Sequence, residues 1–175
     1  MAVKTKKIAL LVGKDFEDME VMYPLYRLRE AGYQVDIIGE DVAGTKYFGK
    51  NGYPVVSTLE ISKAKSKDYA GLVAPGGWAP DKLRRNPKIL KLVSDVDHQG
   101  GVIASICHGP WILISAGIMK GKKTTSTPAL KDDLLNAGAK WVDEEVTVDG
   151  RLVTSRKPDD LPAFMREMLK LMEKN

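Results

Sequence analysis

The segment Gly101-Val-Ile-Ala-Ser-Ile-Cys107-His108-Gly109-Pro110 decides the fold of this chain. Its apolar and small residues predict a buried strand, and Pro110 is typical of the first residue of a helix. Ser105 and Gly109 lie two places before and after Cys107, which is the spacing of a nucleophile elbow. The segment therefore predicts an α/β fold in which a sharp strand-to-helix turn presents a thiol.

Cys107 is the only cysteine of the 175 residues. A thiol at a helix N-terminus is close to unpaired backbone N–H groups and to the positive end of the helix dipole. Such surroundings lower a cysteine pKa and favour the thiolate at neutral pH. The alternative is a buried structural cysteine, which is the usual role of a lone cysteine.

Strand-like and helix-like segments alternate along the chain, with glycines at the ends of several helices. Val146–Val148 and Leu152–Thr154 flank Asp149-Gly150-Arg151 and predict a β-hairpin near the C-terminus. The predicted segments are strands at 7–12, 34–38, 71–74 and 102–106 and helices at 17–31, 87–98, 110–116, 128–137 and from 158 onwards. This order predicts a doubly wound, mostly parallel sheet in a single α/β domain spanning residues 1–175. Residues 41–69 give no clear pattern.

The charge distribution and the apolar segments indicate which partners and which cellular compartment to expect. A net charge of +4 is spread along the chain, and the densest basic stretch, Lys63-Ala-Lys-Ser-Lys67, runs directly into Asp68. This pattern lacks the interleaved aromatic residues of a nucleic-acid binder, so we expect no nucleic-acid partner. The apolar run from Ile8 to Val12 is too short for a signal peptide, and no segment is long enough to span a membrane. With one cysteine, these features favour a reducing, cytoplasmic setting and no membrane partner.

Three chemically useful groups follow predicted strands. Glu17 comes shortly after the first strand, Gly76-Gly77 follows the strand at 71–74, and Cys107 ends the strand at 102–106. Because parallel strands of an open sheet end at the same edge, we expect these groups to meet there. The backbone N–H groups of Gly76, Gly77 and His108 are the expected oxyanion donors. Glu17 is the expected acid–base group sharing one proton with Cys107, although it could also be an ordinary first-turn helix acid.

Four further residues lie close to these groups in the sequence or in the predicted fold, and most of them have more than one possible role. Direct contact between His108 and the sulfur of the adjacent Cys107 looks geometrically awkward, so we expect the ring to orient an acid or act as a base. Asp81 is the candidate partner of His108. Trp78 and Trp111 either line a pocket beside the elbow or pack into the core.

Together these motifs closely resemble the PfpI family of intracellular cysteine peptidases. The resemblance covers nearly the whole chain in the same order, and the motifs that carry it are Phe16-Glu17-Asp18, Pro75-Gly-Gly77, Ala79-Pro80, Ser105-Ile-Cys-His-Gly-Pro110, Ile114-Ser-Ala-Gly117, Lys131-Asp-Asp133, Asn136-Ala-Gly138 and Thr154-Ser-Arg156. The family belongs to the glutamine-amidotransferase-like superfamily, which includes the Parkinson-linked deglycases.

The resemblance implies a flavodoxin-like three-layer sandwich and assembly into homodimers or hexamers. It places the nucleophile at Cys107, the histidine at His108, the strand-end glutamate at Glu17 and the oxyanion loop at Gly76-Gly77. The sequence departs from the archaeal peptidases at two positions. Asp81 stands where a neighbouring subunit supplies a glutamate to the histidine, and Thr127 replaces a tyrosine.

Three functions remain open, and none of them requires a metal or a cofactor. The favoured one is a PfpI-type cysteine hydrolase acting on peptides, in which Cys107 forms an acyl-enzyme and His108 with Asp81 protonates the leaving amine. The second is a cofactor-free glyoxalase or deglycase acting on methylglyoxal or its adducts through Cys107 and Glu17. The third is a redox sensor or holdase that uses Cys107 as its switch.

Overall fold

A computed structural model describes residues 7–173 of the chain. Within them the strands are β1 (Lys7–Leu11), β2 (Val35–Gly39), β3 (Lys46–Phe48), β4 (Pro54–Val56), β5 (Leu59–Glu60), β6 (Tyr69–Ala74), β7 (Val102–Ile106), β8 (Lys123–Thr124), β9 (Lys140–Trp141), β10 (Val146–Asp149) and β11 (Leu152–Ser155). The α-helices are α1 (Asp18–Glu30), α2 (Ala79–Leu83), α3 (Pro87–His98), α4 (Pro110–Ser115), α5 (Lys131–Asn136) and α6 (Leu161–Met172).

A seven-stranded sheet in the order β10-β11-β7-β6-β1-β2-β5 forms the centre of the molecule. All neighbouring pairs are parallel except the β10–β11 hairpin at one edge. Every residue of β7 is buried, which is why this strand is almost continuously apolar in sequence. The mostly parallel sheet and the C-terminal hairpin confirm the predicted fold class.

Helices cover the sheet in two groups. α1 packs against α6, and α6 lies on β7 and β11, whereas α3 lies on β6 and β7 and contacts α4. The helix predicted at 87–98 is present as α3, with Pro87 as its first residue. The Asn86 side chain caps it by accepting a hydrogen bond from the Lys88 N–H at 3.0 Å. None of the described helices is long and apolar enough to cross a membrane.

The region for which the sequence showed no clear pattern forms a small antiparallel hairpin and an edge strand. β3 and β4 pair with each other outside the main sheet, and β5 adds to the main sheet beside β2. The chain between β3 and β4 crosses to the β1–α1 loop, where Lys50 N–H donates to the Phe16 carbonyl at 2.9 Å. This hairpin therefore brings residues 49–53 to the carboxyl edge of the sheet.

Candidate active site at the carboxyl edge of the sheet

The turn after β7 has the strained geometry of an elbow. Cys107 has φ of 60°, a left-handed conformation that non-glycine residues rarely adopt. Its N–H donates to the Ser155 carbonyl at 3.1 Å, and the Gly109 N–H donates to the Ile106 carbonyl at 2.8 Å. A Cβ on Gly109 would collide with the Ala74 carbonyl and lie 2.5 Å from the Ser105 hydroxyl. Small residues flank the thiol because β6 passes directly behind the turn.

The acid beside the thiol is Glu20. Glu20 is completely buried in the first turn of α1, and its carboxyl group interacts with Cys107 both as a charge and as a hydrogen-bond partner. Oε2 of Glu20 accepts the Gly76 N–H at 2.7 Å, while Oε1 is buried without a hydrogen bond of ordinary geometry. Only one of the two carboxyl oxygens is therefore held by the backbone.

The prediction that Glu17 contacts Cys107 is wrong. Glu17 is the residue before α1, and its Oε2 forms an ion pair with Lys50 Nζ at 2.5 Å. Glu17 and Glu20 are three residues apart at a helix start, so both can face the same side, but only Glu20 reaches the thiol. The spacing of Glu17 and Glu20 places two acids at the same helix start, but it does not show which of them reaches the thiol.

The ionisation of the thiol also differs from the prediction. Burial and the Glu20 carboxylate raise the pKa of Cys107 to about 12, against the opposing effect of hydrogen bonds from the Gly77 and His108 backbone N–H groups. The lowered pKa expected from the elbow alone is therefore wrong, because burial of the thiol and the charge of Glu20 outweigh the backbone N–H groups.

The pKa of Glu20 is raised as well. Burial, together with the charge of Glu17, raises the pKa of Glu20 to about 8, although the Gly76 N–H opposes the shift. Because the two groups interact closely, loss of one proton leaves a single negative charge shared by the carboxyl group and the sulfur. The sequence analysis expected Glu17 and Cys107 to share a proton, whereas in the structure the carboxyl group that interacts with the thiol is that of Glu20.

The glycine pair has two different tasks. The Gly77 N–H donates a hydrogen bond to the Cys107 sulfur. Gly77 has φ of 78°, a left-handed conformation that glycine adopts readily. The Gly76 N–H is engaged by Glu20, so this amide is not the free oxyanion donor that was expected. The amides that face the reacting sulfur are those of Gly77 and His108.

His108 lies directly against the thiol. Its Nδ1 is 3.2 Å from the Cys107 sulfur, so direct contact between these neighbours is possible after all. The ring also lies between Trp78 and Trp111, with ring centroids 5.6 Å and 5.1 Å away. Trp78 is 62% exposed and lies beside His108 at the surface, whereas Trp111 is partly buried and packs against both His108 and the hydrophobic core. Burial, and to a lesser degree the charge of Lys50, lowers the pKa of His108.

Asp81 does not meet His108 within one chain. It lies in the short helix α2 and forms an exposed ion pair with Arg85. The predicted contact of Asp81 with a histidine across subunits stays a prediction.

Lys50 is a charged residue of this site that the sequence analysis did not identify. Its ammonium group pairs with Glu17, and this hydrogen bond is the main cause of the raised pKa of Lys50. The positive charge also interacts favourably with Cys107 and Glu20. No metal-binding group of three or more His, Cys, Asp or Glu side chains occurs among residues 7–173.

Comparison with known proteins gives a consistent family assignment. The sequence profile described as "DJ-1/PfpI family" matches residues 6–171. The chain is 47% identical to "Deglycase PH1704" of Pyrococcus horikoshii, and the match covers 95% of this chain and 99% of that protein. It is 42% identical to "Protein/nucleic acid deglycase 2" of Escherichia coli, with 96% and 98% covered.

Solved structures agree with the fold. Drosophila melanogaster DJ-1beta superposes with a TM-score of 0.87 at 28% identity, covering 98% of this chain and 90% of that one. Schizosaccharomyces pombe DJ-1, at 21% identity and a TM-score of 0.84, covers 94% of this chain and 90% of its own and supports the fold alone.

Proposed function

The chain belongs to the DJ-1/PfpI family, and from that premise we propose that it is a cofactor-free glyoxalase or deglycase acting on methylglyoxal or its adducts. The observation that carries the proposal is the contact of a buried, proton-exchanging carboxyl group, Glu20, with the Cys107 thiol. Relatives named as deglycases share 42–47% of the sequence over almost the whole chain.

The chemistry requires one nucleophile and one proton shuttle. Cys107 adds to the aldehyde carbon of methylglyoxal, and the thiol proton moves to the carbonyl oxygen, which gives a hemithioacetal. Glu20, as the carboxylate, then removes the hydrogen from that carbon and returns it to the neighbouring carbon. The proton of the hemithioacetal hydroxyl group moves to the oxygen of the neighbouring carbonyl, and the adduct becomes the thioester of lactate. Water hydrolyses the thioester to lactate and restores the thiol. The Gly77 and His108 N–H groups lie where they can stabilise the oxygen anion that forms beside the sulfur.

A cysteine peptidase or amidase is the second candidate, because His108 Nδ1 is 3.2 Å from the sulfur. That mechanism also needs an acid to orient the imidazole, and Asp81 instead pairs with Arg85 in the single chain. The glyoxalase chemistry needs only groups that already meet within one chain. The peptidase activity, the assembly into homodimers or hexamers, the cytoplasmic setting and the use of Cys107 as a redox switch stay predictions.

The test is methylglyoxal consumption by wild type, Cys107→Ser, Glu20→Gln and Asp81→Ala, with casein cleavage measured on the same preparations. We expect Cys107→Ser and Glu20→Gln to lose at least about a hundredfold in rate, which is the usual contribution of a nucleophile or a general base. Asp81→Ala should remain within about twofold, because its ion pair is exposed. Full activity in Glu20→Gln, or casein cleavage without methylglyoxal loss, would contradict the proposal.

The pH profile gives an independent check. Because the working form of Glu20 is the carboxylate and the pKa of Glu20 is raised to about 8, the rate should rise between pH 6 and pH 8. A profile that is flat over this range would mean that another group acts as the base.

A further inference from the structure

We propose that Lys50 is a positioning residue for the Cys107–Glu20 pair and that Glu17 limits how much of the Lys50 charge acts on the thiol. This inference rests on the proposed function, because it concerns how the Cys107–Glu20 pair of the proposed active site is tuned. It concerns Lys50, which lies between β3 and β4 and which the sequence analysis did not identify as a site residue.

The backbone holds Lys50 beside the site. The Lys50 N–H donates to the Phe16 carbonyl at 2.9 Å, and Phe16 forms bridges to both Gly49 and Gly77. Phe16 is 1% exposed, so this connection lies within the core. One buried residue therefore joins the loop that carries Lys50 to the loop whose Gly77 N–H reaches the sulfur.

A buried carboxylate fixes the rest of the same loop. Asp18 accepts hydrogen bonds from the Asn51 N–H at 2.9 Å, the Asn51 side-chain amide at 3.0 Å and the Tyr53 N–H at 2.8 Å. A Cβ on Gly49 would overlap the Asp18 carboxyl group, so the loop passes directly over it. These contacts hold the backbone of the loop that carries Lys50, while the Lys50 side chain itself is 44% exposed.

The titratable groups around the thiol come from four elements. Glu20 projects from α1, Glu17 from the β1–α1 loop, Lys50 from the β3–β4 connection, and His108 from the elbow itself. Lys50 is the cation of this group, and its charge interacts favourably with both Cys107 and Glu20. When the sulfur or Glu20 becomes negative, the Lys50 ammonium group stabilises that charge, and the Glu17 carboxylate weakens the effect by neutralising Lys50.

This arrangement predicts effects of opposite sign for the two members of the ion pair. Replacing Lys50 removes a stabilising cation, so the thiol should ionise at higher pH. Replacing Glu17 by glutamine removes a nearby anion and leaves the Lys50 charge unmatched, so the thiol should ionise at lower pH. A purely structural role for the ion pair would shift both variants in the same direction.

The experiment measures iodoacetamide alkylation of Cys107 from pH 6 to pH 11 by intact mass, which is unambiguous because the chain has one cysteine. At pH 8, Lys50→Met should react about threefold to tenfold more slowly than wild type, and Glu17→Gln should react faster by a similar factor. Lys50→Arg should restore most of the wild-type profile because it keeps the charge.

Lys46→Met is the matched control, since Lys46 is an exposed lysine of the same hairpin and should leave the profile unchanged. Unchanged profiles in both Lys50→Met and Glu17→Gln, or slower alkylation in both, would overturn the proposal. If Lys50→Met fails to fold, Lys50→Gln replaces it with the same expected result. The assay contains no substrate, so a protein that does not consume methylglyoxal would refute the proposed function without changing this outcome.

Discussion

The backbone N–H of Gly76 donates to Oε2 of Glu20 at 2.7 Å, and this bond links the β6–α2 loop to the first turn of α1. It holds one oxygen of the buried carboxyl group and leaves the other without a hydrogen bond of ordinary geometry. A glycine amide that the sequence suggested as an oxyanion donor thus orients the carboxyl group of Glu20, the proposed general base, instead.

The tight contact around Gly76 should make its replacement costly. In Gly76→Ala the new Cβ would lie 2.6 Å from Glu20 Oε2 and 2.7 Å from the Cys107 Cβ, so the pair must separate. We expect at least about a tenfold loss of methylglyoxal consumption and a loss of about 1–3 kcal/mol in the free energy of unfolding. Both are measured on the purified variant, by the activity assay and by guanidinium denaturation.

Gly121→Ala provides the comparison for that variant. Gly121 has φ of 79°, but no atom lies within 4 Å of the methyl group that alanine would add. It should lose about 1 kcal/mol from backbone strain and retain its activity. Equal activity in the two glycine variants would show that the Gly76–Glu20 contact does not matter for the chemistry.

The raised pKa of Glu20 should make stability depend on pH. Its ordinary pKa is 4.5 and its folded pKa is about 8, so the folded protein retains a proton that the unfolded chain releases. The resulting stability is fully present below about pH 4.5 and is lost as pH rises through 8, by an amount on the order of 5 kcal/mol. Glu20→Gln should remove this loss, so its unfolding free energy should decline less than that of wild type between pH 5 and pH 8.5.

Urea denaturation at a series of pH values tests this prediction. The matched control is Glu145→Gln, which replaces an exposed acid and should reproduce the wild-type pH dependence. Identical slopes for wild type and Glu20→Gln would mean that Glu20 titrates in the folded protein as it does in water.

The hydrogen bonds of Asp18 should keep the loop that carries Lys50 well ordered and resistant to proteolysis. In Asp18→Asn the side chain loses its charge, and one of its acceptors becomes a donor facing the Asn51 and Tyr53 N–H groups. Hydrogen bonding from these groups lowers the pKa of Asp18 despite its burial, so the native loop favours the charged form. We expect a loss of about 1–3 kcal/mol in unfolding free energy and faster tryptic cleavage after Lys50.

Asp159→Asn is the control, because Asp159 is 81% exposed in its ion pair with Lys157. It should change stability by less than about 0.5 kcal/mol and leave the cleavage rate at Lys50 unchanged. Cleavage of Asp18→Asn at the wild-type rate would show that other contacts hold the loop.

The predictable parts of this protein are those determined by local pattern. The apolar run of β7, the small residues around Cys107, the Asn86-Pro87 helix start and the turn at Asp149-Gly150-Arg151 each carry their structural meaning within a few residues. Periodicity and turn chemistry act over that range, so strand order along the chain and the position of the elbow follow from them.

The acid that meets the thiol could not be read in the same way. Glu17 and Glu20 both lie at the start of α1, and the rotation of the helix on the sheet determines which side chain points to Cys107. That rotation depends on packing of the whole helix, including its contacts with α6 and β2.

By itself, the sequence determined an α/β chain with its only thiol on a sharp turn after a buried strand, because these features depend on neighbouring residues. Only the tertiary structure decided that Glu20 accompanies the thiol, that Glu17 pairs with Lys50, and that the thiol pKa is raised. These outcomes depend on charges and burial contributed by segments far apart in the chain, and the distances between such segments exist only after the sheet and helices have packed.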